Sequence, residues 1–304
     1  MARNRHRSDV RGAFTLVEML VVITIIGILA GLITAAAAKA RTAARKAQIK
    51  TEISQLAMAL EKYKTEHGEY PPAPTGQMTQ AQVIAILDRH ILKVFPKYDY
   101  RAKGTPSAQF QDDLQQNYGL NVAKMDPAAS LVFWLGGLPA DPTQGGWKPE
   151  GFHTDPQHPF KKGVPRTTPG FDFNLNRLSR QGSDDFLRLY PRSTTEGAPY
   201  VYFRPVYNTT TAIRTYAGMF WDPSQVSLPN AGAMGFAVPY RNTGTADQWR
   251  EQDKFQLISA GMDESFGAAD GTTPRETKTG TGFTQGDFDN ITNFSEGTLE
   301  DEIE

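Results

Sequence analysis

A run of 25 residues, Phe14 to Ala38 (FTLVEMLVVITIIGILAGLITAAAA), constrains this chain more than any other feature, because its one ionisable side chain is Glu18. As a helix it rises roughly 37 Å at about 1.5 Å per residue, enough to cross a hydrocarbon core of about 30 Å with some tilt. A core helix of a soluble domain keeps a polar face, whereas this run is apolar all round and reads as a membrane-spanning helix. The carboxylate of Glu18 is costly in hydrocarbon unless it is paired or reaches the headgroup boundary, so it demands an explanation.

The flanks sharpen the picture. Residues 1–13 form a short basic leader in which Arg3, Arg5, Arg7 and Arg11 outnumber the single Asp9. Residues 39–67 continue the helix in amphipathic form: no Gly or Pro lies between Gly31 and Gly68, and Ile49, Ile53, Leu56, Leu60 and Tyr63 recur at helical spacing. Gly68 and the Pro71-Pro72 pair end it, the first by favouring a left-handed cap and the second by breaking the ladder. Basic residues precede the span and follow it (Lys39, Arg41, Arg45, Lys46, Lys50), so charge bias alone does not orient it.

Residues 71–304 are rich in Pro, Gly and aromatics and lack a long helical period. One short helix is expected at 81–94, where Val83, Ile84, Leu87, Ile91 and Leu92 share a face. Strands are expected at 131–135, 200–204, 213–220, 235–240 and 255–259, giving an α+β head built on a small antiparallel sheet. Prolines punctuate a loop-rich stretch of about 140–198, which reads as a surface insertion. From Gly286 onward seven acidic residues stand with no basic one, a tail expected to fray at its end.

Several chemistries are excluded or thinly supported. With no cysteine there is no disulfide, thiolate metal site or Cys nucleophile. The near balance of 32 Lys+Arg and 33 Asp+Glu gives no support to nucleic-acid binding. His153 and His158 lack the helical spacing of a zinc protease, and no P-loop or nucleophile elbow is present, so the chain does not read as an enzyme.

The string Ala13-Phe14-Thr15-Leu16-Val17-Glu18, following a basic leader and opening a long apolar helix, resembles the prepilin cleavage and N-methylation motif of type IV pilins and type II secretion pseudopilins. The resemblance implies cleavage between Ala13 and Phe14 by a prepilin peptidase, methylation of the Phe14 amine, and an assembly role for Glu18 facing the amine of a neighbouring subunit. Cleavage after Gly12 is the alternative, since the family most often has Gly before the cut. Pairing a buried carboxylate with a buried ammonium offsets part of both desolvation costs and sets registry. Gly27 and Gly31 form a small-xxx-small face on which neighbouring helices could pack, and Gly27 also falls where family helices commonly loosen.

More loosely, EKYKTEHGEYPP at 61–72, the stretches around 198–202 and 255–263, and DFDNITNF at 287–294 look like parts of the major pseudopilin, here with an enlarged head. In such pseudopilins an acidic, Gly-rich loop binds calcium, and Asp263, Asp270, Asp287 and Asp289 are the candidate oxygen donors for such a site. The resemblance further implies a single-pass inner-membrane protein with a cytoplasmic leader and an external head. It likewise implies self-association into a helical filament, served by an inner-membrane assembly platform and a secretion ATPase. Two other readings stay open: an adhesive type IV pilin, and a secreted enzyme or binding protein whose signal peptide is cut at Ala38-Lys39-Ala40.

Overall fold

The computed structural model describes residues 15–75, 78–143, 147–192, 197–208, 212–226, 228, 230–242, 248–267, 270, 273 and 275–303; the leader and the Ala13–Phe14 cleavage point lie outside them. The chain divides into two compact units, one ending at Arg45 and the other beginning at Lys46. Helix α1 (Leu16–His67) is a single unbroken helix of 52 residues. In the first unit its apolar side chains are exposed throughout, with Leu16, Val17 and Ile33 each more than 60 % accessible. A cylinder of this kind cannot rest in water and needs lipid or other helices around it.

In the second unit α1 buries the stripe Ile49, Ile53, Leu56, Leu60 and Tyr63 in the main core. The helix stops where expected: Gly68 takes φ +75°, and its N–H closes on the Lys64 carbonyl at 2.7 Å. Two α1 side chains tie the helix to distant segments. The Lys50 ammonium donates to the carbonyls of Thr292 (2.8 Å) and Ser295, and Glu52 accepts from Arg177 and from the Tyr200 hydroxyl.

Helix α2 (Gln80–Val94) lies within a residue of its expected range and starts on a capping box between Thr79 and Gln82. Among the described residues, two further helices of ten residues or more were not expected from the sequence. The first, α3 (Pro106–Tyr118), is bounded by the Thr105 cap, Pro106 in its first turn and left-handed Gly119, and it buries Phe110, Leu114 and Tyr118. The second, α4 (Pro127–Gly136), replaces the strand expected at 131–135. Its N-cap Asp126 accepts from the Ala129 N–H at 2.7 Å, and every one of its residues is buried. An element apolar on all sides carries no periodicity, so the pattern could not separate strand from helix; the Asp-Pro start and Gly137 stop decide it.

The strands are short: β1 (Leu178–Ser179), β2 (Arg188–Leu189), β3 (Val201–Phe203), β4 (Val206–Asn208), β5 (Ile213–Thr215), β6 (Tyr240–Arg241), β7 (Gln256–Ser259), β8 (Arg275–Glu276) and β9 (Ile291–Thr292). A three-stranded antiparallel sheet runs β3-β7-β9, with Val201 opposite Ile258 and Ile258 opposite Thr292. The pairs β1-β2 and β4-β5 are antiparallel, and β6-β8 is parallel. The fold is therefore α+β, a long N-terminal apolar helix and small, mainly antiparallel sheets. The strand expected at 213–220 ends at Thr215, before a turn through Gly218 at φ +72°, and the one expected at 235–240 shrinks to Tyr240–Arg241.

Two surface expectations are corrected. Within 147–192, Phe152, Phe160, Phe173 and Phe186 are buried in the main core, so this stretch is irregular in backbone yet central to packing. Near the end, Leu299 is fully buried at the start of a 3₁₀ turn (Leu299–Glu302), and Glu302 pairs with Arg250 at 3.2 Å. The acidic tail is thus docked through residue 303.

Candidate functional site

The first turn of α1 carries the residue the sequence singles out. The N–H and hydroxyl of Thr15 each donate to Glu18 Oε2 at 2.8 Å, while the Glu18 N–H donates back to Thr15 Oγ1 at 3.2 Å. This reciprocal pattern is a capping box: the N–H groups of Thr15 and Glu18 are each satisfied by the other residue's side chain. It also gives the carboxylate two donors within its own helix. Glu18 therefore sits fixed at the N-terminal end of the apolar segment, where the helix macrodipole favours negative charge. A cut before Phe14 would create an ammonium one residue ahead of this cap.

Gly27 and Gly31 lie on the same helix, and among the described residues nothing stands within 4 Å of where a Cβ would be on either. Neither glycine is approached by another described residue of the subunit, which leaves the small face open to a neighbouring helix.

The four acidic candidates for calcium do not gather into one cluster. Asp287 is committed elsewhere: its Oδ1 lies 2.6 Å from Arg275 Nε in a fully buried ion pair and accepts from the Tyr240 hydroxyl at 3.1 Å. Its Oδ2 takes the N–H and hydroxyl of Thr284. Asp270 accepts from Thr273 through both oxygens. Asp263 and Asp289 do come together, since Asp289 Oδ2 accepts the N–H groups of Met262 (2.7 Å) and Asp263 (3.1 Å).

The other Asp289 oxygen, Oδ1, is buried without a hydrogen-bond partner among the described residues. Burial, with the Asp289 carboxylate beside it, pushes the Asp263 carboxyl up to about 6. The lack of a side chain at Gly261 is what lets Asp289 approach, for a Cβ there would fall 2.4 Å from Asp289 Oδ1. An orphaned carboxylate oxygen next to a second carboxylate is chemistry that suits a hard cation. Among the described residues, however, no three His, Asp or Glu side chains form a metal-binding group, so carbonyls or water would have to complete the shell. His153 holds its Nδ1 toward the Asp155 N–H at 2.9 Å, a local turn rather than a zinc ligand set.

Sequence reasoning missed a network where α1 gives way to the head. Glu69 Oε1 accepts from His90 Nδ1 at 2.8 Å, and His90 Nε2 takes the Tyr63 hydroxyl at 2.8 Å. Glu69 Oε2 faces Arg204 at 3.0 Å, Arg89 at 3.4 Å and Lys93 at 4.0 Å. Burial drives His90 down to about 4 despite the carboxylate beside it, so the ring is neutral near pH 7 and donates from Nδ1. Burial alone would raise Glu69; the His90 hydrogen bond and the surrounding guanidinium groups outweigh it and hold Glu69 at about 2. They come from three separate stretches, 63–69, 89–93 and 204, and no local pattern announces their convergence.

Residues 10–34 match the family model of the prokaryotic N-terminal methylation motif. Neither a search of curated proteins nor one of solved structures returns a match. The chain thus carries a type IV pilin-like leader followed by one apolar helix, an arrangement compatible with a membrane-anchored, pilin-class structural subunit.

Proposed function

We propose that this chain is a structural subunit of a type II secretion pseudopilus. In this reading a prepilin peptidase removes residues 1–13 on the cytoplasmic side and methylates the amine of Phe14. The processed subunit waits in the inner membrane with its head outside the cytoplasm. It then leaves the bilayer by adding to a helical fibre on an assembly platform driven by a secretion ATPase. The observation that supports the reading is the match over residues 10–34, with Glu18 capped at the start of an apolar helical segment whose large side chains, Leu16 to Ile33, are exposed. Each helix exchanges lipid contacts for contacts with like helices, and Glu18 sets their register by meeting the amine of a neighbour. We also assign Asp263 and Asp289 as the carboxylates that would hold a calcium ion in the head; the ion would neutralise two adjacent negative charges and stabilise the fold by binding it.

Replacement of Glu18 tests the assembly step. In Glu18→Ala the subunit should reach the membrane and be processed as in the wild type, yet form no filaments. Glu18→Gln keeps an oxygen that can accept from Thr15 but loses the charge, and it should fail in the same way. Normal filaments from both variants would sink the assembly role.

A further inference from the structure

Beside the Glu69 network lies an open cleft of about 810 Å³ formed by the end of α1, one face of α2 and the β4-β5 hairpin. Lys64, Arg89, Lys93, Arg204 and Arg214 line it, against the carboxylates of Glu69 and Asp253. Three of those cations converge on Glu69, one of whose oxygens is already taken by His90. One carboxylate cannot neutralise three cations, and the side chains of Arg89 and Lys93 remain 62 % and 43 % exposed. The cleft therefore presents excess positive charge in a concave setting, where such charge draws anionic groups most strongly.

The opposite charge stands elsewhere on the same unit. Glu296, Glu300 and Asp301 are exposed on the docked C-terminal segment, which carries no basic residue from 286 onward. Lys50 of α1 holds the start of this segment through Thr292 and Ser295, whereas Lys64 of α1 lines the cleft. Fourteen residues of helix separate the two, about 21 Å along the axis at 1.5 Å per residue. Acidic and basic surfaces thus lie toward opposite ends of the helix segment packed in the head. Two different complementary surfaces on one subunit make a heterologous contact, which need not close and can propagate as a fibre.

We propose that the basic cleft at Arg89 and Lys93 receives the acidic segment 296–303 of a second copy of this chain, joining heads end to end along the α1 axis. The contact rests on the filament reading above and adds to it a head interface independent of the membrane helices. Arg89 and Lys93 would face Glu300 and Glu296 of the next subunit, with Arg204 staying on Glu69. Because these groups lie at the rim in water, the contact selects partner and register more than it supplies affinity, and salt should weaken it.

The absence of native cysteine gives a clean test. The full-length chain carrying both Arg89→Cys and Glu300→Cys, expressed with its processing peptidase and mildly oxidised in the membrane, should give a ladder of disulfide-linked species extending past the dimer. Each single variant should give none. Raising salt to about 1 M, where the screening length is about 3 Å, should suppress the ladder. A ladder that stops at the dimer overturns the open arrangement. Filaments seen by electron microscopy without any ladder overturn this contact and leave the filament reading standing. Absence of filaments and ladder alike from a processed chain overturns both. In a second test, Arg89→Glu with Lys93→Glu should abolish filaments, and adding Glu296→Lys with Glu300→Lys should restore them; failure of that rescue counts against the pairing.

Discussion

Replacement of Gly27 and Gly31 separates what the apolar helix needs for itself from what it needs for its neighbours. Among the described residues of the subunit nothing lies within 4 Å of either missing Cβ, so none of them opposes a larger side chain. Alanine at both positions should make the isolated helix more favourable by about 2 kcal/mol, at about 1 kcal/mol for each Gly→Ala change in a helix interior. If the glycines serve contact between helices, the effect on assembly has the opposite sign. A gap of about 0.5–1 Å between packed surfaces forfeits roughly a quarter to a half of the dispersion well, and two leucines on the small face would hold neighbours further apart than that. Gly27→Leu with Gly31→Leu should therefore insert and be processed normally while filaments disappear; the alanine pair should insert at least as well as wild type and assemble less. Membrane fractionation, the mass of the processed chain and electron microscopy of sheared filaments read the three steps separately. Wild-type filaments from the leucine pair would refute the packing argument, and failure of that pair to reach the membrane would refute the claim of steric freedom.

The head should lose stability on acidification. Both His90 (about 4 in the fold) and Glu69 (about 2) sit below their ordinary values of 6.5 and 4.5. Their contributions are complete above those ordinary values, and are lost as pH falls toward 4 for the histidine and toward 2 for the glutamate. The melting temperature should drop as pH falls from about 6.5, and His90→Gln should flatten that part of the curve; an equal slope in wild type and variant contradicts this account. Asp263 runs the other way: its carboxyl is raised from 3.8 to about 6, so the cost of its charge is absent below 3.8 and grows as pH rises through about 6. Calcium should accordingly raise the melting temperature more at neutral pH than at pH 5, and a chelator or Asp289→Asn should cancel the gain. A melt unchanged by calcium and chelator retires the metal assignment.

What could be read in the sequence depended on how local the signal was. The burial of Ile49, Ile53, Leu56, Leu60 and Tyr63 and the stop at Gly68 follow from spacing and backbone preference alone. Helices α3 and α4 were bracketed by Thr105-Pro106 with Gly119 and by Asp126-Pro127 with Gly137. The polar residues in α3 and the uniformly apolar character of α4 hid the periodicity that would have given those brackets weight. Thr15 as the partner of Glu18 went unread, although a Thr three residues before a Glu at a helix start is a capping-box signal. The convergence of Tyr63, Glu69, His90 and Arg204 was not legible. Nor was the diversion of Asp287 onto Arg275, because both come from long-range packing of short, irregular segments.

The mass and methylation state of the mature amino terminus test the central claim most directly. In cells that contain a prepilin peptidase, the account predicts a chain lacking residues 1–13 and beginning with N-methylated Phe14. A chain found in the membrane with its arginine-rich leader intact, or one beginning at Arg41 after ordinary signal cleavage, would contradict it.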